Sequence, residues 1–392
     1  MPTPYPVPGF ETPRPLALAI GGLVALASAV GIGRFVYTPI LPLMVEDLGM
    51  TQGAAGLLAS ANFAGYLAGA LLAATPILPG SRRRRLIIAL IVSSLTTAAM
   101  AFASSTVTFL ILRFVGGVAS AFVLVFASAL VLDRLSAAGR PDLAAVHFAG
   151  VGTGMALSAV LVSSLVTWGN GWRSLWLASG FTSVLAVGIV ATLIEDRVEP
   201  VTVMTSRPPR ANARRTALVV AYGLFGFGYI ITATFLVAIV RGSDQARAFE
   251  PVVWLVVGLA AAPSVALWTL VGEKIGSARA FACACMVEAL GVAVSVLWLT
   301  PPGVILAAAL LGGTFMGITG LGLIRARRLS QGDPRRTLAV MTAAFGLGQI
   351  VGPTFAGVID DATGSFLMPS LTAVSALLVA AFLATVGPTQ TS

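Results

Sequence analysis

Acids are scarce in this chain. Of 392 residues only 15 are Asp or Glu, one is histidine and two are cysteine. Charged residues make up 10% against 57% hydrophobic ones, which excludes an ordinary soluble globular domain. The lone histidine, His147, and the pair Cys283 and Cys285 inside one apolar run give no metal-ligand spacing; the cysteines read as small packing residues. No phosphate loop and no nucleophile–base pair is present, so neither an enzyme nor an ATP-driven pump is expected, and no cofactor is implied.

What is abundant is apolar length. Runs long enough to cross a bilayer fall at about 16–44, 52–78, 86–104, 106–132, 142–166, 172–194, 216–240, 250–271, 280–299, 303–324, 337–359 and 366–387. Twelve such helices consume most of the chain and define an all-α integral membrane protein. Residues 1–15 and 388–392 are left as tails, and 195–215 as a polar linker between a first bundle (16–194) and a second (216–387). The N-terminal tail holds six prolines and no basic n-region, so a cleaved signal peptide is not expected.

The basic residues set the orientation. With the N-terminus in the cytoplasm, 19 of the 24 Lys and Arg residues fall on the cytoplasmic side, including Arg82 to Arg85, Arg214, Arg215, Arg325, Arg327 and Arg328. Only Arg173, Arg241 and Arg247 fall outside, and Arg34 and Arg113 lie within helices. By the positive-inside rule both termini are cytoplasmic, in an inner membrane of bacterial type. The formal charge of +9 is therefore a signal of topology and of contact with anionic lipid, and no nucleic-acid partner is expected.

Arg34 is the only charge in residues 16–44. A guanidinium at the bilayer centre costs about 2.5–3.5 kcal/mol on insertion scales, so it has to face protein or a water-filled path. That makes it the first candidate substrate contact, suited to a carboxylate. Tyr37, three residues on, is expected on the same helix face. Asn62 and Tyr66 share a face of the second helix at i and i+4, with Gly65 and Gly69 in a small-xxx-small pattern suited to a tight crossing. Gln349, Phe315, Tyr229 and Thr232 complete the candidate site. Three further ionisable groups lie within helices. Arg113 either supports coupling or snorkels to the outer surface, His147 is a proton relay or a packing residue, and Glu288, the one deep acid, is expected to pair with a polar neighbour.

The chain also repeats itself. GIGRFVYTPIL (31–41) aligns without gaps on GFGYIITATFL (226–236) at an offset of 195, so Arg34 corresponds to Tyr229. At an offset of 196, Gly80-Ser81 matches Gly276-Ser277, Gly117 matches Gly313, and Gly150 and Gly152 match Gly346 and Gly348. Two parallel six-helix repeats imply a pseudo-two-fold axis along the membrane normal and a site between the halves near the midplane.

These patterns resemble the major facilitator superfamily. Gly272 to Arg279, with Glu273 and Lys274, is similar to that family's signature loop, while the matching first-half loop lacks the acid. Arg113 with Gly117 resembles its R-x-x-x-G pattern. Gly348, Gly352 and Pro353 resemble its antiporter motif, whose usual copy in the fifth helix is absent here. GRFVYTPILP (33–42), ASANFAGYLAGA (59–70), HFAGVGTG (147–154) and GLGQIVGP (346–353) look like the YbfB/YjiJ-like branch. The resemblance implies a monomeric secondary transporter that works by alternating access on a small organic solute, with a proton as candidate coupling ion. It makes Arg113, His147, Glu288, Glu273, Lys274, Gly348, Gly352 and Pro353 candidates for coupling or gating. An arginine where drug exporters of the family carry an acid favours an anion or zwitterion. The alternatives are efflux of amphipathic compounds and, from other classes, a membrane sensor or membrane-embedded enzyme.

Topology is directly testable. Single cysteines introduced at Ser81 and Ser330 are expected to react with impermeant maleimide only from the cytoplasm, and one at Gly242 only from outside. Labelling of Ser81 in intact cells would reverse the orientation.

Overall fold

The computed structural model describes residues 15–75, 79–195, 213–330 and 334–385, without the side chains of 334–336. The expected tails and most of the expected linker lie outside the described residues. Twelve helices are long and apolar enough to cross a membrane. They are α1 (Pro15–Leu48), α2 (Gln52–Ala73), α3 (Arg82–Phe102), α4 (Thr106–Ala137), α5 (Pro141–Thr167) and α6 (Trp172–Leu193). The second set is α7 (Ala213–Arg241), α8 (Arg247–Ile275), α9 (Ser277–Leu297), α10 (Pro301–Leu329), α11 (Pro334–Thr363) and α12 (Leu367–Thr385). No strand occurs among the described residues.

The number of helices matches the sequence expectation, and their ends differ where polar residues extend an apolar run. Arg82 to Arg85 form the first turn of α3 rather than a loop, because the Ser81 side chain caps it by accepting from the Arg84 N–H. Arg83 then donates to the carbonyls of Ala191 and Ile194 at the end of α6, where a cation satisfies open C=O groups. Helix α4 runs five residues past its expected end at 132, to Ala137.

The packing repeats with an offset of six helices. The pairs α2–α4, α3–α4, α3–α6, α1–α5 and α1–α6 recur as α8–α10, α9–α10, α9–α12, α7–α11 and α7–α12. The halves meet through α2 against α11, α5 against α8, and α1 against α7. Their close approach depends on glycine. A Cβ at Gly56 would collide with the Pro353 carbonyl across the α2–α11 seam, and one at Gly152 or Gly258 would collide with backbone across α5–α8. The expected small-xxx-small crossing is present too: Gly65 and Gly69 lie on the backbone of Phe114 and Val118 in α4. Large apolar side chains such as Phe181, Leu185 and Phe382 are exposed on the outer perimeter, where lipid is the natural solvent.

Two contacts lie on the pseudo-axis. Thr38 Oγ1 donates to the Ala233 carbonyl at 2.8 Å, and Arg241 pairs with Glu46 at 2.6 Å. Both pairs are 195 residues apart, the offset of the sequence repeat, so equivalent positions of α1 and α7 face each other.

Gly65→Val is expected to lower the thermal stability of the detergent-purified protein by about 1–3 kcal/mol, the usual cost of overpacking. Gly188→Val, where a Cβ meets nothing within 4 Å, should leave the midpoint unchanged. Equal midpoints for the two variants would refute the tight α2–α4 crossing.

Candidate functional site

Helix α1 is not one continuous α-helix. A π-helical turn spans Ala27–Ile32, a turn follows, and regular α-helix resumes at Tyr37. Two wide-turn bonds mark it, from the Gly33 N–H to the Ser28 carbonyl at 2.8 Å and from the Phe35 N–H to Val30 at 3.2 Å. Pro39, one turn beyond, has no N–H to give the Phe35 carbonyl, so the ladder cannot close there. Gly31 packs on the backbone of Gly154, and Gly33 against Ser93 and Ala29. Such π-turns concentrate at functional sites, and this one aims Arg34 toward the seam between the halves.

Arg34 is 5% exposed. Its Nη2 donates to Gln349 Oε1 on α11 at 3.1 Å, and Gln349 Nε2 in turn donates to the Tyr229 hydroxyl on α7. The repeat-equivalent residues Arg34 and Tyr229 are thus joined through one glutamine. The guanidinium carbon lies 4.1 Å from the Tyr66 ring centroid, 4.6 Å from Phe63 and 5.5 Å from Phe35. Its Nε has no hydrogen-bond partner, and no carboxylate pairs with it among the described residues. Tyr229 lies nearly parallel to Phe315 (5.6 Å, 5°) and to Phe345 (5.8 Å, 6°), with Phe225 5.0 Å away. One side of the cluster is therefore cationic and the other a wall of aromatic faces.

One expectation needs correction, and one of two alternatives falls away. Tyr37 does not accompany Arg34: the turn between them rotates it away, its hydroxyl donates to the Ala55 carbonyl at 2.8 Å, and its ring lies under the Arg113 guanidinium at 4.6 Å. Arg113 does not snorkel. It is 3% exposed, and its Nη2 reaches the Arg34 carbonyl at 3.4 Å. This second arginine braces the open backbone that carries the first, a role that sequence spacing alone does not reveal. Asn62 serves the same brace, donating to the Arg113 carbonyl at 2.8 Å. Its Oδ1 and the Arg113 Nε, both without a protein partner, belong to residues lining a cavity of about 10 Å³, which is room for one water.

The other candidates lie apart. His147 is fully buried, bonded through Nε2 to Ser128 at 3.0 Å and packed on Gly22, with its Nδ1 left without a hydrogen-bond partner. Thr232 is buried with an unpartnered hydroxyl. Glu288 is buried in α9, and the polar partner expected for it is missing among the described residues. Glu273 and Lys274 are exposed at the end of α8, before the Gly276 turn at φ +86°. Gly348 and Gly352 seat α11 on Gly223, Phe227 and Ile230 of α7, while the Pro353 carbonyl meets Gly56.

Sequence reasoning did not single out the cluster at the arginine-poor end. Arg241 pairs with Glu46 at 2.6 Å across the halves and with Glu250 at 2.9 Å. Asp361 on α11 accepts from the Gln52 and Gly53 N–H groups at the start of α2, both at 2.8 Å. These links hold that end together around a cleft of about 350 Å³ lined by Pro39, Arg247, Trp254 and their neighbours. The signal was available in the repeat offset, which places Glu46 opposite Arg241.

The chain belongs to the major facilitator superfamily of transporters: the family model described as "Uncharacterised MFS-type transporter YbfB" matches residues 26–385. It is a multi-pass membrane transporter rather than an enzyme. It is 23% identical to the uncharacterised MFS-type transporter YtbD of Bacillus subtilis over 90% of this chain and 89% of that one. It is 27% identical to a gallate transporter of Pseudomonas putida over 50% of this chain and 42% of that protein. It is 28% identical to a benzoate transport protein of Acinetobacter baylyi over 42% and 36% respectively. The matches to those two named carriers thus span less than half of either protein. Among solved structures, a D-xylose–proton symporter aligns with TM-score 0.72 at 14% identity, covering 95% of this chain and 96% of that one. The nucleoside transporter NupG aligns with TM-score 0.70 at 15% identity, covering 94% and 98%. These two share the fold.

Gln349→Leu is expected to strand both Arg34 Nη2 and the Tyr229 hydroxyl, costing about 1–3 kcal/mol for buried groups left unpaired. Thermal unfolding of the purified protein checks this; an unchanged midpoint would mean that the bridge is not a structural tie.

Proposed function

We propose that the chain carries a small organic anion, with aromatic carboxylates favoured, across a bacterial-type inner membrane by alternating access. The observation that carries this reading is Arg34: a buried guanidinium at mid-helix, hydrogen-bonded to the neutral Gln349, with aromatic rings around it and no carboxylate pairing with it among the described residues. A substrate carboxylate would supply the missing charge through a bidentate pair, and the near-parallel rings of Tyr229, Phe315 and Phe345 would face a flat aromatic body. The partial matches to gallate and benzoate carriers agree with that chemistry. A fixed cation here, with no carboxylate pairing with it among the described residues, argues against efflux of organic cations.

On the positive-inside reading the arginine-rich end is cytoplasmic. The Glu46–Arg241–Glu250 cluster and the Asp361 cap would then be the outer gate, shut in this conformation. The halves, taken as residues 16–194 and 216–387, rock about the α1–α7 axis to exchange access, and Gly348, Gly352 and Pro353 keep α11 close enough to slide on α7 and α2.

Benzoate binding to the purified protein tests the site. Arg34→Gln should weaken it about tenfold or more, the loss of a hydrogen bond to a charged group at roughly 1.5–3 kcal/mol. Arg34→Lys should recover only part of it, because an ammonium lacks the planar fork. Gln349→Glu gives Arg34 a resident carboxylate, so it should fold well and bind no benzoate. Undiminished binding by Arg34→Gln would remove the anion reading.

A further inference from the structure

Helix α9 holds an ionisable group that the binding cluster does not use. Glu288 lies mid-helix, is fully buried, and neither carboxylate oxygen has a hydrogen-bond partner. Helix α9 packs against α7, α8, α10 and α12, whose charges sit at their ends. They are Arg214, Arg215 and Arg241 on α7, and Arg247, Glu250, Glu273 and Lys274 on α8. On α10 they are Arg325, Arg327 and Arg328, and α12 has none; on α9 itself Arg279 sits in the first turn. The titratable groups that bear on Glu288 are Tyr229 across the interface on α7 and Cys285 one turn back on its own helix. Neither is a cation. Thr232 on α7 and Ser370 on α12 are also buried with unpartnered hydroxyls.

An ionised carboxylate with no protein cation or donor beside it is far costlier in such a place than a neutral carboxylic acid, which forgoes only ordinary hydrogen bonds. The conformation closed at the arginine-poor end therefore holds Glu288 with its proton on. Tyr229, close enough to feel the charge on Glu288, is also bound by the Gln349 that accepts from Arg34, so the carboxyl and the anion site share a neighbour.

We propose that Glu288 is the proton site of this transporter, loaded in the conformation seen here and unloaded when α9 and its neighbours move apart and admit water. The proposal rests on the alternating-access anion reading and adds its energy source. With Glu288 neutral, the buried Arg34 guanidinium has no compensating buried charge among the described residues, so protonation and anion binding reinforce each other. By linkage the anion in turn raises the proton affinity of Glu288. One proton (H⁺) on the carboxylate and one monocarboxylate on Arg34 cross together, and no net charge moves. The coupling is symport.

Two measurements decide it. In proteoliposomes with labelled benzoate, wild type should accumulate benzoate on a pH gradient, acidic on the benzoate side, without generating a membrane potential. Glu288→Gln, a mimic of the neutral acid, should lose gradient-driven accumulation while still exchanging labelled for unlabelled benzoate. Glu288→Asp keeps a titratable group and should keep coupling. Gradient-driven accumulation by Glu288→Gln, or loss of exchange together with accumulation in a folded protein, would overturn the proposal. The second measurement needs no substrate: spin labels at Leu48 and Thr363 report the arginine-poor end. The closed population should rise as the pH falls and become pH-independent in Glu288→Gln. A pH response surviving in that variant, or none in wild type, would overturn the proton site even if benzoate binds at Arg34. A normal pH response with no benzoate binding would overturn the substrate reading and leave the proton site standing.

Discussion

The arrangement turns on keeping one guanidinium in the middle of a hydrocarbon layer. Arg34 cannot shed its proton, and its helix cannot be both continuous and correctly aimed. The chain accommodates this by opening α1 into a π-turn, holding the freed carbonyl with Arg113, holding Arg113 with Asn62, and laying aromatic faces around the charge. The hydrogen bond to Gln349 ties the charge to the opposite half, so on the proposed reading the residue that would receive an anion also joins the two bodies that would move. Any change in the charge beside Arg34 is therefore felt at the interface between the halves.

The seam between the halves is built for close contact rather than for strong bonds. Along α2–α11 and α5–α8 glycine backbones touch at distances that no side chain would permit, and the polar links that cross are few. Van der Waals packing of this kind is short-ranged, so it is lost as soon as the helices separate and regained when they return. Among the described residues, the ion pair and the carboxylate cap that cross the seam lie at the arginine-poor end, where water can solvate the partners once they part. On the proposed alternating-access reading, a seam of this kind would keep the energetic difference between open and closed forms small.

Much of this was legible in the sequence. Helix number follows from apolar length, and the repeat follows from an ungapped match around Arg34. The importance of Arg34 follows from the rarity of charge in such a run. The local geometry of Arg34 was not legible, because a helical spacing of three residues puts Tyr37 beside it only if the helix is regular. The π-turn breaks that premise and hands Tyr37 to Arg113. For Arg113 the sequence left snorkelling and an inner role open; the opened backbone of α1 offers it a carbonyl inside, and it stays buried. Glu288 was expected to find a partner because buried acids usually do.

The contacts on the pseudo-axis have an ancestral consequence. In a dimer of identical halves, a residue on the two-fold axis faces its own copy, so position 46/241 would set acid against acid or arginine against arginine. Only after duplication and fusion into one chain can the two copies diverge to Glu46 and Arg241 and attract. The latch that closes this end is thus a property that symmetry forbids. It measures how far the two halves have ceased to be interchangeable.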